Sequence, residues 1–129
     1  MKRLPHPLAA FFLAFLLCAC GKPKELPYSK LGYVDNVFTD PDTGKGFSGI
    51  ARDYHKNGQL KAEFPFKNGR FHGNVKEWHP NGKPMAETEF KDGERCGRNI
   101  EWTEAGLLYR ERVYDHDKIV EEKNHEAGK

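Results

Sequence analysis

The chain has 129 residues, of which 37% are hydrophobic and three are cysteines, so it has room for one domain at most. Its formal net charge is +2, from 21 basic and 19 acidic residues. Lys2 and Arg3 lie in the first 19 residues, where no acid occurs, so a chain without that segment has 21 − 2 = 19 basic residues against 19 acids. A neutral chain lacks the basic stripe of a nucleic-acid-binding protein, and we expect no nucleic-acid partner.

The first segment is typical of an export signal. An apolar run of ten residues, 8–17, follows Lys2 and Arg3, and it is too short to cross a bilayer, which takes about 20 residues. We interpret residues 1–19 as a signal peptide. Leu17-Cys18-Ala19-Cys20 resembles the bacterial lipobox. This resemblance implies that Cys20 is acylated and anchors the chain in the membrane.

Two alternatives stay open at this site. Cys18 is a competing acceptor for the lipid, and an uncleaved apolar N-terminus or ordinary secretion would leave the chain without an anchor. The lipobox resemblance implies a bacterial cell envelope, and Gly21 after Cys20 indicates the outer membrane, facing the periplasm.

Residues 20–30 are rich in proline, glycine and charge and show no periodicity, so they are predicted to form a lipid-anchored tether. Leu31 to Phe38 favours one strand that leads into the domain. Thr39 to Gly46 is dense in turn formers. Its Asp40-to-Gly44 stretch invites a calcium interpretation, but the other ligands of an EF-hand loop are missing, and a turn is favoured.

A repeat of 24 residues dominates the rest of the chain, and periods of 20–50 residues indicate a modular array. Three phases hold glycine and one holds an aromatic residue. The repeated positions are Gly49, Gly73 and Gly97; Tyr54, Trp78 and Trp102; Gly58, Gly82 and Gly106; and Gly69 and Gly93.

Each repeat is predicted to be a β-hairpin. Asn57-Gly58 is a strong hairpin signal, expected here to place both residues at positive φ. The alternation from Gln59 to Lys67 indicates a strand with one buried face. The third repeat has eroded turns, with Ala105 for asparagine and Asp117 for glycine. Such divergence is typical of terminal, capping repeats.

The predicted fold is all-β, an antiparallel meander of seven or eight strands in a single open twisted sheet. The repeat domain covers residues 31–117, with repeats at 47–70, 71–94 and 95–117, and residues 118–129 are predicted to be a polar, fraying tail. Two aromatic columns are expected to join the repeats, at 54, 78 and 102 and at 66, 90 and 114. On that basis Trp78→Ala is expected to cost about 3–5 kcal/mol.

Tyr54 to Leu60, Phe66 to Gly69 and His72-Gly73 resemble the bacterial variant of the MORN repeat, over about residues 33–117. Proteins of this kind are often grouped as YwqK-like antitoxin components of toxin–antitoxin systems. The resemblance therefore implies a repeat module and, as one alternative, an antitoxin or immunity role. An antitoxin has to meet its toxin in the same compartment, and an exported chain would meet one that acts outside the cytoplasm.

Two sets of residues are candidates for chemistry. Ser48, His72 and Cys96 share one phase, as do His55 and His79. Equivalent positions in successive hairpins lie two strands apart, about 9.5 Å. A Cys–His pair needs contact at about 3 Å and a zinc–nitrogen bond is about 2 Å long, so we expect no enzyme, metal or cofactor.

Two acidic rows remain, and we expect them on a solvated face with weak cross-strand pairs. They are Glu63, Glu87 and Glu111, and Asp53, Glu77 and Glu101. The function expected from the whole sequence is a non-enzymatic, lipid-anchored envelope module. It would present a β-sheet surface to an envelope protein or a cell-wall glycan, or to a cognate toxin in the alternative role.

Overall fold

The computed structural model describes residues 21–126 of the chain. The predicted signal peptide and Cys20 lie outside the described residues. Within the described part, the single helical segment is a 3-10 turn at Tyr28–Lys30. No helix there is long and apolar enough to cross a membrane.

The described chain is almost entirely β, and most of it is one open sheet of antiparallel strands, as the repeat predicted. The strands of the main sheet run in the order β1-β4-β5-β7-β8-β9-β10-β11, with β6 paired to β5, while β2 and β3 form a separate hairpin. Within residues 21–126, β1 and β4 are the only strands that pair in parallel. The strands are β1 (Glu25–Pro27), β2 (Gly32–Val34), β3 (Val37–Thr39), β4 (Gly49–Tyr54), β5 (Leu60–Lys67), β6 (Arg70–Phe71), β7 (Gly73–Trp78), β8 (Pro84–Lys91), β9 (Glu94–Trp102), β10 (Leu108–Asp115) and β11 (Lys118–Asn124).

The two turns of each repeat have different geometries, which corrects one sequence expectation. At Asn57-Gly58 only Gly58 has a positive φ. The Gly58 amide donates to the His55 carbonyl, and the His55 amide donates to the Gln59 carbonyl. This is a three-residue hairpin loop with glycine in the left-handed position. Both central residues have positive φ instead at the second turn, Asn68-Gly69.

The third repeat keeps both turns despite its altered residues. Ala105 is compatible with the first turn because that position does not require a positive φ. Asn57 Oδ1 accepts a hydrogen bond from the Gln59 amide in the first repeat, whereas Thr103 Oγ1 accepts one from the Leu107 amide in the third. At the second turn, His116 and Asp117 both adopt positive φ without a glycine. The third repeat is therefore a complete hairpin.

The apolar core lies under the first repeat, between the sheet and the segment that precedes it. Phe47, Ala51 and Phe66 are its most buried residues. Other apolar side chains pack against them, namely Leu26, Tyr28, Leu31, Phe38, Phe64 and Phe71. The core thus depends on residues 26–47, which cover one face of the sheet at this end.

The two predicted aromatic columns differ. The second forms in part: Phe71, which the prediction lacks, joins Phe66 to Phe90 with ring centroids 4.9 and 5.3 Å away. Among the described residues no ring contact reaches Tyr114, whose ring instead lies under the Arg95 guanidinium. The first does not form: among the described residues no ring contact joins Tyr54, Trp78 and Trp102, and the Tyr54 side chain is 54% exposed. The reason is position, because these three residues end their strands beside the turns.

The segment before the repeats is folded over more of its length than predicted. Within the predicted tether, Glu25–Pro27 pairs with β4 and Tyr28 packs in the core. The single predicted strand from Leu31 to Phe38 is instead a hairpin, because Asp35 and Asn36 both adopt positive φ and reverse the chain.

The predicted tail also differs. Residues 118–124 form β11, which pairs with β10 and ends the sheet. Every residue of β11 is exposed, which explains why its burial pattern gave no signal. The polar composition of this segment reflects an edge strand rather than fraying.

Candidate binding groove

One face of the main sheet, here called the inner face, carries the core at one end and is open at the other. Residues that pair across antiparallel strands share a face, and these pairs follow the inner face from repeat to repeat. The same phases become more polar where the cover of residues 26–47 ends. They change from Ala51 to Val75 and Asn99, and from Phe64 to Thr88 and Arg112.

A β-bulge recurs in every repeat at the edge of this open region. The strand registers leave Lys61, Met85 and Tyr109 without a directly opposite residue. A bulge turns a side chain out of strict alternation. The three bulges are 24 residues apart and bring the return strand beside the acid at positions 53, 77 and 101.

In the first and third repeats that acid has a partner from the return strand. Lys61 Nζ lies 3.2 Å from Asp53 Oδ2. Tyr109 Oη donates to Glu101 Oε2 at 2.6 Å, and Arg110 Nε donates to the same oxygen at 2.8 Å. The Glu101 carboxylate raises the pKa of Tyr109 by accepting that hydrogen bond.

In the second repeat the acid has no such partner. The equivalent return-strand residues are Met85 and Ala86, which carry neither charge nor donor. Among the described residues, the Glu77 side chain forms no hydrogen bond or ion pair, and Glu77 is partly buried. Burial, and then the charge of Glu101, raise the pKa of Glu77, while Lys61 opposes this shift.

A second unpartnered acceptor lies two strands away. Asn99 is 6% exposed and donates from Nδ2 to Thr88 Oγ1 at 2.9 Å. Its Oδ1 is buried and has no hydrogen-bond partner in the described part of the chain. A buried polar atom without a partner is costly, so the Glu77–Asn99 region offers two acceptors that the chain itself does not satisfy.

Glu77, Ala86 and Glu101 lie where two clefts meet, and together the clefts form what we call the central groove. One cleft, of about 320 Å³, extends past Thr88 and Asn99. The other, of about 400 Å³, extends toward Met85 and Trp102. Aromatic residues occur at both ends of the groove, Phe90 and Tyr114 at one and Trp102 and Tyr109 at the other.

The residues at the repeated positions form the turns and strand ends of the hairpins, and few of them line the central groove. All eight glycines of the repeated phases have positive φ. Gly49 and Gly73 pair with Phe66 and Phe90. Of the strand-end aromatics, only Trp102 reaches the central groove. The repeat signal therefore indicated the scaffold, whereas the groove depends on positions where the repeats differ.

Of Ser48, His72 and Cys96, the first two bond to turn amides. Ser48 Oγ accepts from the Asn68 amide at 2.9 Å, and His72 Nδ1 accepts from the Asp92 amide at 3.3 Å. Among residues 21–126, no hydrogen bond joins His72 to Cys96, which is a free cysteine.

His55 and His79 each connect two successive repeats. His55 Nε2 donates to the Trp78 carbonyl at 2.8 Å, and His79 Nε2 donates to the Trp102 carbonyl at 2.9 Å. Over the described range, no group of three or more potential ligand side chains could hold a metal ion. Through their hydrogen bonds to the next repeat, the two histidines link successive hairpins of the stack.

The two predicted acidic rows lie on opposite faces, which corrects the expectation of one solvated face. The row at 63, 87 and 111 shares the outer face with basic residues, as in the Arg52–Glu63 ion pair at 3.0 Å. The row at 53, 77 and 101 lies on the inner face. Sequence reasoning therefore missed Glu77 and Asn99. The signal that could have found them was the loss of polar partners at 85 and 86 relative to 109 and 110.

Comparison with known proteins supports the repeat. Two adjacent segments, residues 47–68 and 71–92, match the MORN repeat variant. The third hairpin lies outside the matched residues but has the same fold. No curated protein matches the chain, and no solved structure matches it.

Proposed function

We propose that this protein is a non-enzymatic binding module of the bacterial cell envelope, anchored through an acylated Cys20. It would present the inner face of its sheet to an envelope protein or a wall glycan. The observation that carries the proposal is the central groove, where Glu77 and Asn99 keep acceptors that the fold does not satisfy. Concave sites with a few convergent polar groups among apolar side chains are the usual form of a ligand site.

Repeat sheets suit this role because successive units extend one surface, and MORN repeats suggest a module that mediates binding. The anchor would place the surface near the membrane. Because the Lys24 carbonyl accepts from the Ile50 amide and Lys24 Nζ bonds to Asp40, residues 21–23 would separate the lipid from the sheet. Three extended residues span about 10 Å.

Two substitutions of similar size on opposite faces test the proposal. Ala86→Phe fills the central groove, whereas Glu87→Phe, at the next residue, adds the same ring on the outer face. The full-length protein and both variants are used to capture proteins and wall glycans from solubilised envelope. We expect Ala86→Phe to lose the captured ligand and Glu87→Phe to keep it. Equal retention by all three proteins would contradict a binding role for the groove.

The anchor is tested separately by mass spectrometry of the mature N-terminus, with Cys20→Ala as the control. We expect an acylated Cys20 as the first residue. The capture experiment also addresses the antitoxin alternative. A single captured partner that is lethal when expressed alone would favour an immunity role, whereas several envelope partners or a retained glycan would favour the general module.

A further inference from the structure

The central groove differs from its equivalents in the other two repeats in one respect, the missing partner of its acid. Asp53 has Lys61, and Glu101 has Tyr109 and Arg110. Glu77 faces Met85 and Ala86 at those two positions. The three hairpins share one backbone plan, so the repeats themselves show which group is missing beside Glu77, a cation or donor on the return strand.

The cations already in the groove do not supply that group, because each has another acid. Arg95 Nε donates to Asp117 Oδ1 at 2.9 Å, and Arg112 Nε donates to Glu122 Oε2 at 2.9 Å. Arg110 pairs with Glu101. Once these pairs are counted, Glu77 is the one unpaired ionisable group among the described residues that line the groove. The groove is therefore complementary to a ligand that brings one positive charge.

We propose, on the basis of the binding role argued above, that the central groove receives an arginine side chain from an extended segment of a partner protein. The guanidinium would take the place beside Glu77 that Arg110 takes beside Glu101. Met85 and Ala86, which line the wider cleft, are smaller than Tyr109 and Arg110 at the equivalent positions of the third repeat and so leave the space.

Three features of the groove favour a guanidinium over an ammonium or a neutral sugar hydroxyl. A guanidinium has five donors in a planar fork, which suits a site with a carboxylate and a second acceptor. Asn99, which lines the same cleft, has an Oδ1 without a donor among the described residues. The ring of Trp102 at the end of the cleft offers a surface on which a guanidinium stacks. A hydroxyl would donate to Glu77 but leave its charge unpaired in a partly buried site.

The test uses the full-length, isotope-labelled protein in detergent, titrated with acetyl-Gly-Arg-Gly-amide and observed by NMR. The same peptide with citrulline in place of arginine keeps the shape and removes the charge. We expect saturable shifts at Glu77, Ala86 and the side-chain amide of Asn99 with the arginine peptide. The citrulline peptide should bind at least tenfold more weakly.

Three variants define the site. Glu77→Gln should weaken binding of the arginine peptide at least tenfold. Ala86→Arg, which copies Arg110, should place an internal guanidinium beside Glu77 and abolish binding. Glu87→Gln is the matched control, since Glu87 is next to Ala86 but lies on the outer face, where it accepts from Asn74. It should bind like the unchanged protein, and the spectra themselves show whether each variant is folded.

Equal binding of the two peptides, or undiminished binding by Glu77→Gln, would overturn the proposal. A titration with chitotetraose separates this failure from that of the binding role. Shifts at Asn99 and Trp102 with chitotetraose, but none with the arginine peptide, would refute the arginine ligand and leave the binding module standing. Absence of shifts with every probe, together with equal capture by Ala86→Phe and Glu87→Phe, would refute both.

Discussion

His55 donates a hydrogen bond from Nε2 to the main-chain carbonyl of Trp78, at 2.8 Å. The bond joins the turn of one hairpin to the strand end of the next, and His79 makes the same bond to Trp102. Asn57 Nδ2 reaches the Pro80 carbonyl in parallel, at 2.9 Å. Hydrogen bonds between turns, rather than stacked aromatic rings, therefore connect the repeats along this edge.

His55→Ala is expected to lower the free energy of unfolding by about 1 kcal/mol, the usual net value of one hydrogen bond. His79→Ala should cost a similar amount. The two bonds lie in different repeats, so the double variant should be close to additive. Urea denaturation of the full-length protein measures each value. Lys56→Ala, in the same turn, is the control and should change stability little. Unchanged stability in both histidine variants would show that these bonds do not hold the stack together.

Substitutions at Gly58 and Gly69 distinguish backbone strain from steric overlap. Both glycines have positive φ, but only Gly69 has close neighbours. A Cβ at Gly58 would meet no atom within 4 Å, whereas one at Gly69 would lie 2.2 Å from Val37 Cγ1 and 2.5 Å from the Phe38 carbonyl. Gly58→Ala should cost about 1–2 kcal/mol from the left-handed conformation alone. Gly69→Ala should cost a further 1–3 kcal/mol or so from overlap. Thermal unfolding compares them, and equal costs would mean that the β2–β3 hairpin does not pack on Gly69.

Phe66→Ala is expected to destabilise the fold by about 3–5 kcal/mol, because Phe66 lies in the buried cluster with Phe47 and Phe71. Trp78→Ala should cost less, about 1–2 kcal/mol, since its ring is only partly buried. The sequence alone assigned the larger cost, about 3–5 kcal/mol, to Trp78→Ala; the structure assigns it to Phe66→Ala. Guanidinium denaturation of both variants gives the order, and a larger loss for Trp78→Ala would contradict the assignment of the core to the first repeat.

The hairpins could be predicted from the sequence because turn residues and alternation recur at a fixed period. Gly58 and Gly82 mark turns by backbone requirement, and the alternation from Gln59 to Lys67 marks a buried face, so three copies of each signal made the all-β sheet clear. The edge strand β11 and the short strand β1 could not be predicted in this way. Both pair through main-chain atoms at sheet edges, where side chains remain exposed or mixed and leave no pattern.

The groove could not be predicted because it depends on differences between repeats rather than on their shared residues. The β-bulge places Met85 opposite no residue and directs the return strand toward Glu77. A bulge shifts register without an unusual residue at the position, so periodicity alone assigned Glu77 to a solvated row. The cover over the first repeat comes from residues 26–47, whose packing on the inner face is a tertiary effect.

Glu77→Gln is expected to stabilise the folded protein at neutral pH, because burial and Glu101 raise the pKa of Glu77 in the fold. Below the ordinary carboxyl pKa of about 4.3, Glu77 is protonated in both states. As the pH rises, the unfolded chain ionises first, and stability is lost until the pH passes the raised pKa of the folded state. The advantage of Glu77→Gln over the unchanged protein should therefore open above about pH 4.3 and then level off.

Chemical denaturation at a series of pH values from 3.5 to about 8 measures this difference in the free energy of unfolding. Glu87→Gln removes a neighbouring, partly buried carboxylate on the outer face and serves as the matched control. The opposite result, a Glu77→Gln variant that is less stable than the unchanged protein at neutral pH and whose deficit disappears on acidification, would mean that ionised Glu77 stabilises the fold through a partner within the chain. An acid paired with an internal cation has a lowered pKa and contributes stability that is lost as the pH falls. Such a result would contradict the inference that Met85 and Ala86 leave Glu77 without a partner.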